Sequence, residues 1–177
     1  LVHKQSCDTP KEAATISLRV VSANVTTFHN KVDGFHQWQF DVLAMQEVNS
    51  SVSQLQAARR KLQAQKIQTS WGHSRVPEFK DARSEEPQRG AGCAILARRP
   101  IVKGPGPLPA ALQQNARFHE TLLPLPGGHL FWIASVYCFD QGQDDHLRRT
   151  NDLLQAVADR VGTLPSGPKL IAVDMNC

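Results

Sequence analysis

Three short apolar runs in this chain end in a carboxylate or an amide, and that pattern limits the fold more than any other feature. "LRVVSAN" closes on Asn24, "VLAMQE" on Glu47, and "KLIAVDMN" on Asp174 and Asn176. Short β-branched or apolar runs bounded by polar residues read as buried strands. Side chains at the C-terminal ends of neighbouring strands converge on one rim of a sheet, where ligands often bind. The pattern predicts a sheet protein whose strands carry polar groups to a shared edge.

The rest of the chain supports a mixed architecture. Strands are expected over 16–25, 41–48 and 91–98, a hairpin over 116–125 and 129–139 around Gly127 and Gly128, and a last strand over 168–176. A helix is expected over 49–65, with Val52, Leu55 and Leu62 near helical spacing and Asn49, Ser50 or Ser51 as cap. The clearest helix lies over 144–164, with Leu147, Leu153, Leu154, Val157 and Val161 on one face and Gly162 near its end. Residues 1–15 form a polar lead-in, 72–90 a long surface loop, and 100–109 a proline-rich connector. This order favours α/β or α+β, with helices covering the sheets.

Composition excludes some classes. The 177 residues suit one domain, and no apolar run approaches a membrane span. The lead-in lacks the apolar centre of a signal peptide, and it does not begin with Met, so a piece of a longer chain is expected. Cys7, Cys93, Cys138 and Cys177 form no C-x-x-C pair. Cys93 and Cys138 sit in apolar runs and read as reduced core residues, which points to an intracellular setting, nucleus or cytoplasm. The net charge of +4 is compatible with a polyanionic partner without specifying one.

Glu47, Asp174, Asn24 and Asn176 on one rim would form a hard-oxygen site. Such a set suits Mg²⁺ or Mn²⁺, which take one or two protein carboxylates and keep several waters. Each residue also has a plain structural reading. Asn24 suits a turn, Glu47 suits the approach to a helix N-terminus, and Asp174 suits a cap. Their matching positions are what favour a common role.

The blocks "LRVVSANV", "DVLAMQEVN", "GAGCAILARRPI", "WIASVYCF" and "PKLIAVDMN" resemble, in order, those of the endonuclease/exonuclease/phosphatase superfamily. That family includes apurinic endonucleases, deoxyribonuclease I-like enzymes, endonuclease domains of non-LTR retrotransposons, and sphingomyelin and inositol-phosphate phosphatases. The resemblance covers about residues 17–177. It implies the first half of a two-layer β-sandwich flanked by helices. It further implies Mg²⁺-dependent phosphodiester hydrolysis, with nucleic acid as the expected substrate of the parent protein. Glu47 resembles the metal-binding glutamate, and Asn24 the amide lining the metal and phosphate site. Asp174 resembles the aspartate that activates water. Asn176 resembles the amide that orients it, and Tyr137 the tyrosine that approaches the phosphate.

The chain departs from the family pattern at several places. Val173 stands where the family has Gly before the Asp, and Cys138, Phe139 and Asp140 replace the usual continuation after the tyrosine. No Ser-Asp-His block is present; His146 follows Asp145, but at the start of the predicted helix. These departures imply a missing C-terminal half-domain, and weak or no activity in the chain as given. They also imply exposed apolar faces along "FWIASVYCF" and "KLIAV", and hence self-association. Arg59, Arg60 and Lys61, Arg98 and Arg99, and Arg148 and Arg149 are candidates for backbone phosphate contact or simple solvated surface. Trp38, Trp71 and Trp132 are too scattered to suggest a base-stacking platform. Two alternatives stay open: a phosphatase or phospholipase of the same fold, and a degenerate non-catalytic module.

Overall fold

The computed structural model describes residues 16–26, 28–50, 52–72, 74–75, 89–113, 115–139 and 145–176. The order is β1 (Val20–Asn24), β2 (Val42–Gln46), α1 (Val52–Ala64), β3 (Gln68–Trp71), β4 (Ser74–Arg75), β5 (Arg89–Ala91), β6 (Cys93–Ala97), α2 (Ala110–Gln113), β7 (Phe118–Pro124), β8 (Leu130–Tyr137), α3 (His146–Thr163) and β9 (Lys169–Asp174). One sheet runs β1-β2-β6-β3, a second runs β7-β8-β9, and β4 pairs with β5. The two larger sheets pack face to face, as the mixed α/β reading requires.

Alternation builds the layers. On β2, Val42 and Ala44 face the second sheet, while Leu43 and Met45 face α1. On β6, Ile95 and Ala97 face the second sheet, and Ala94 and Leu96 face α1. On β8, Phe131 and Ile133 meet the first sheet, while Trp132, Ala134 and Val136 pack beneath α2 and α3. These strands are covered on both faces, so they read as continuous apolar runs rather than alternating ones. The result is helix on sheet on sheet on helix.

The strand "FWIASVYCF" therefore differs from expectation. Its residues Phe131 to Phe139 are buried, because the first sheet covers one face and the helices cover the other. Apolar exposure falls instead on the edge strand β9 and just beyond it, at Ile171, Val173 and Met175.

Other elements were not read from the sequence. β3 is the polar "QTSW", recruited by antiparallel pairing with β6 rather than by its own pattern. Short 3₁₀ turns at Phe28–Asn30 and Val32–Gln37 put Phe28 and Phe35 into the core under α1. The ends of the long polar segment pair as β4 and β5; residues 76–88 of it, and 1–15, lie outside the described residues. On α3 the buried stripe is Thr150, Leu153, Val157 and Arg160, spaced three to four residues apart. Leu147, in the first turn, does not join it and is 68% exposed. No helix among the described residues is long and apolar enough to cross a membrane.

Arg160 ties the proline-rich connector into place. Its guanidinium donates to both oxygens of Glu120 on β7, at 3.0 and 2.7 Å, and to the carbonyls of Pro105 and Pro107. Trp132 Nε1 donates to the same carboxylate at 3.0 Å. Gly104 makes this approach possible, since a Cβ there would lie 2.5 Å from Glu120 Oε1. Removing one partner of a buried pair strands the other charge. In urea unfolding, Glu120→Ala is expected to cost about 3–5 kcal/mol. Lys61→Ala, which breaks the exposed pair with Asp33, is expected to cost less than about 1 kcal/mol.

Candidate active site

Two parallel strand pairs, one in each sheet, end at the same rim. β1 and β2 run parallel with Asn24 opposite Gln46, and β8 and β9 run parallel with Tyr137 opposite Asp174. The sheets meet there through side chains: Asn24 Nδ2 donates to Asp174 Oδ2 at 2.7 Å. Tyr137 closes the other side, donating from its hydroxyl to Glu47 Oε1 at 3.2 Å. Thr26 completes the circuit on the first sheet, donating to Glu47 Oε2 at 2.7 Å and to Asn24 Oδ1 at 3.3 Å. The structure thus brings Asn24, Glu47, Tyr137, Asp174 and Asn176 together.

Asn176 meets the rim through both its backbone and its side chain. Its backbone N–H donates to Asp174 Oδ1 at 3.1 Å, while its side-chain amide donates to the Cys138 carbonyl at 2.6 Å. Asp174 is therefore oriented by Asn24 and by the Asn176 backbone. Backbone geometry is unusual here as well. Glu47 has φ 56°, Asn49 φ 40° and Asn176 φ 52°. Left-handed backbone at a non-glycine residue persists only where the surroundings impose it, and such residues cluster at functional sites.

Glu47 and Asp174 are half-buried, and neither pairs with a cationic side chain among the described residues. Both accept from neutral donors only. No group of three or more His, Cys, Asp or Glu among the described residues could hold a metal ion. The rim instead offers two carboxylates with amide oxygens beside them, a donor set that suits a hard divalent cation retaining several waters. The Tyr137 phenol is held above its ordinary value, first by burial and further by the Glu47 carboxylate; Asn176 and Arg117 oppose the shift. It stays protonated at neutral pH. Cys93, nearby in the core, is pushed up to about 12 by burial, so it stays a protonated thiol at neutral pH.

The departures from the family pattern have separate outcomes. Val173 lies on the face of β9 opposite Asp174 and is 36% exposed, so it does not fill the site. Asp140 lies outside the described residues. His146 is the first residue of α3. Most of the basic clusters are engaged in the fold: Arg98 donates to the Phe35 and Trp38 carbonyls, Arg99 faces Asp41, and Lys61 faces Asp33. Arg149 stacks on Phe139, two residues past Tyr137, with 4.1 Å to the ring centroid.

Several supporting residues escaped sequence reasoning. Thr26 stands two residues after Asn24, but nothing in "NVTT" marks which hydroxyl turns to the rim. Arg117 is buried, donates to the Cys138 carbonyl at 2.7 Å, and lies over the rings of Tyr137 and Phe139. In sequence it is one arginine ahead of a strand. Gln46, inside "DVLAMQEVN", carried no role of its own in the sequence. Its amide donates across the sandwich to Ser135 Oγ at 2.9 Å.

No family model and no curated protein sequence matches the chain. Solved structures do. An endonuclease/exonuclease/phosphatase from Beutenbergia cavernae matches with a TM-score of 0.68 at 18% identity, over 90% of this chain and 47% of that one. The human Nocturnin catalytic domain with bound sulfate matches with a TM-score of 0.61 at 16% identity, over 90% of this chain and 65% of that one. ANGEL2, a 2',3'-cyclic phosphatase, matches with a TM-score of 0.54 at 15% identity, over 90% and 53%. The chain thus spans between 47% and 65% of the length of these structures. At such identities the likeness is one of fold, and it agrees with the two-sheet architecture and the order of the strands. The chain has the endonuclease/exonuclease/phosphatase superfamily fold.

Proposed function

We propose that the rim is the metal- and phosphate-binding part of a phosphodiester hydrolase acting on nucleic acid. The observation that carries this reading is the hydrogen-bonded circuit through Asn24, Thr26 and Tyr137 that brings Glu47 from one sheet and Asp174 from the other to one rim. Neighbours of the fold support the phosphate reading. The Nocturnin domain holds a sulfate anion, and ANGEL2 is seen with adenosine-2',3'-vanadate.

Glu47 and Asn24 would hold Mg²⁺ or Mn²⁺. When bound, the ion supplies Lewis-acid stabilisation of the charged phosphoryl oxygens and of the leaving alkoxide. Asp174 is the general base. Its two N–H partners, from Asn24 and Asn176, fix the carboxylate so that a free lone pair can take a proton from water. Tyr137 is a protonated donor. Its single O–H holds Glu47 in place. Asn176 secures the Asp174 turn to the tyrosine strand through the Cys138 carbonyl. The 177 residues contain no Ser-Asp-His sequence of the kind that acts on the phosphate in the family it resembles. We therefore propose weak or no turnover by these residues alone. A phosphatase acting on a small phosphate ester is the second reading, favoured by the likeness to ANGEL2. A panel of plasmid DNA, abasic DNA, RNA and inositol phosphates separates the two.

Calorimetry with Mg²⁺ is expected to give one binding event that Glu47→Ala abolishes. Absence of heat in the unaltered protein would favour a non-catalytic module. Any DNA nicking is expected to fall about 10²–10⁴-fold in Asp174→Asn, the usual weight of a general base; cleavage that survives both substitutions contradicts the reading. Tyr137 is the only tyrosine, so the tyrosinate absorbance of the metal-free protein reports it alone. Its midpoint is expected above the ordinary 10.0 and lower in Glu47→Gln, because that carboxylate raises it. The sign for stability follows. A raised folded-state value contributes stability below the unfolded value that is lost as pH rises through the folded one. Urea stability should therefore decline above about pH 10, the ordinary phenol value.

A further inference from the structure

A polar chain crosses between the sheets directly beneath the rim. Gln46 Nε2 donates to Ser135 Oγ at 2.9 Å, and Ser135 Oγ donates to the Met45 carbonyl at 2.8 Å. Ser22 Oγ donates to Gln46 Oε1 at 3.4 Å. Gln46 is 1% exposed and Ser135 0%, so the contact is sealed from water. Burying an amide and a hydroxyl is unfavourable unless both find partners, and here both do.

Its place along the strands is the informative feature. On β2 the residues facing the other sheet are Val42, Ala44 and then Gln46; on β8 they are Phe131, Ile133 and then Ser135. On these two strands only the layer next to the rim is polar. Gln46 precedes Glu47, and Ser135 stands two residues before Tyr137 on the same face. Ser135 grips the backbone of β2 through the Met45 carbonyl as well as the Gln46 side chain. Beyond Gln46 the strand ends, because Glu47 turns to φ 56°. The Gln46–Ser135 layer is thus the last inter-sheet anchor within β2 before Glu47.

We propose that Gln46 and Ser135 form a positioning latch that holds Glu47 where it meets both Tyr137 and a metal ion. The metal part rests on the reading of Glu47 as a ligand. The latch touches neither metal nor substrate and acts through Glu47 alone. Outer-shell partners of this kind orient ligands, and their loss typically weakens metal binding by ten-fold or more.

The test uses two readouts on the whole chain. Isotope-labelled tyrosine gives one Cζ resonance, from Tyr137, whose position at neutral pH reports the hydrogen bond to Glu47; Glu47→Gln calibrates its loss. Ser135→Ala is expected to move that resonance toward the Glu47→Gln position and to weaken Mg²⁺ binding about ten-fold. Ser135→Thr, which keeps the hydroxyl, should restore both. Ile133→Val thins the same interface without touching the latch and should change neither. Should Ser135→Ala unfold, Gln46→Met removes the donor at similar length and is expected to give the same two changes. An unmoved resonance in a folded latch variant, or an equal shift in Ile133→Val, overturns the proposal. A moved resonance in a protein that binds no Mg²⁺ supports the latch as a positioner of Glu47 and removes the metal reading alone.

Discussion

The face-to-face packing of the two sheets decides where every rim residue lies. Val42, Ala44 and Ile95 of one sheet meet Phe131, Ile133 and Ala172 of the other. Because side chains alternate along a strand, this contact also fixes which residues two positions on point toward the rim. Ser22 and Asn24 follow Val20, Gln46 follows Ala44, Ser135 and Tyr137 follow Ile133, and Asp174 follows Ala172. A one-residue slip in any of these strands would turn its polar end to the helix side. The site is thus the end of the apolar interface, reached by continuing the same pattern until water is met.

That continuity explains what was legible in the sequence. The apolar runs were visible because β2, β6 and β8 are buried on both faces, and their polar ends were visible because each interrupts a run. The hairpin was marked by Gly127 and Gly128, both at φ 78°. The helix α3 was marked by its spacing, although the sequence could not tell that Arg160 would join the buried stripe. An arginine reads as surface until its partner is known, and Glu120 lies 40 residues away. β3 was illegible for a related reason. Its pairing with β6 satisfies its backbone, so "QTSW" needs no pattern of its own.

The site was legible in its members more than in its wiring. Asn24, Glu47, Tyr137, Asp174 and Asn176 stand at strand ends, where sequence reading placed them. Their hydrogen bonds are contacts between distant segments, such as the one between Asn24 and Asp174, 150 residues apart. No local pattern encodes those. Arg117 and Ser135 were missed because each serves the site through a backbone carbonyl, and Thr26 because nothing local shows its hydroxyl turned to Glu47.

The rim also shows how a strained arrangement is held. Left-handed backbone at Glu47, Asn49 and Asn176 costs of order 1–3 kcal/mol per residue. Each is tied to something rigid. Glu47 is bounded by the buried Gln46 and Val48, the latter bonded from its N–H to the Gly92 carbonyl at 3.3 Å. Asn176 is bonded to the Cys138 carbonyl, which Arg117 also holds. The strain therefore sits at the ends of the β2–β6 and β8–β9 ladders. Such an arrangement holds two carboxylates at one rim through backbone geometry and neutral hydrogen bonds rather than through an ion pair among the described residues.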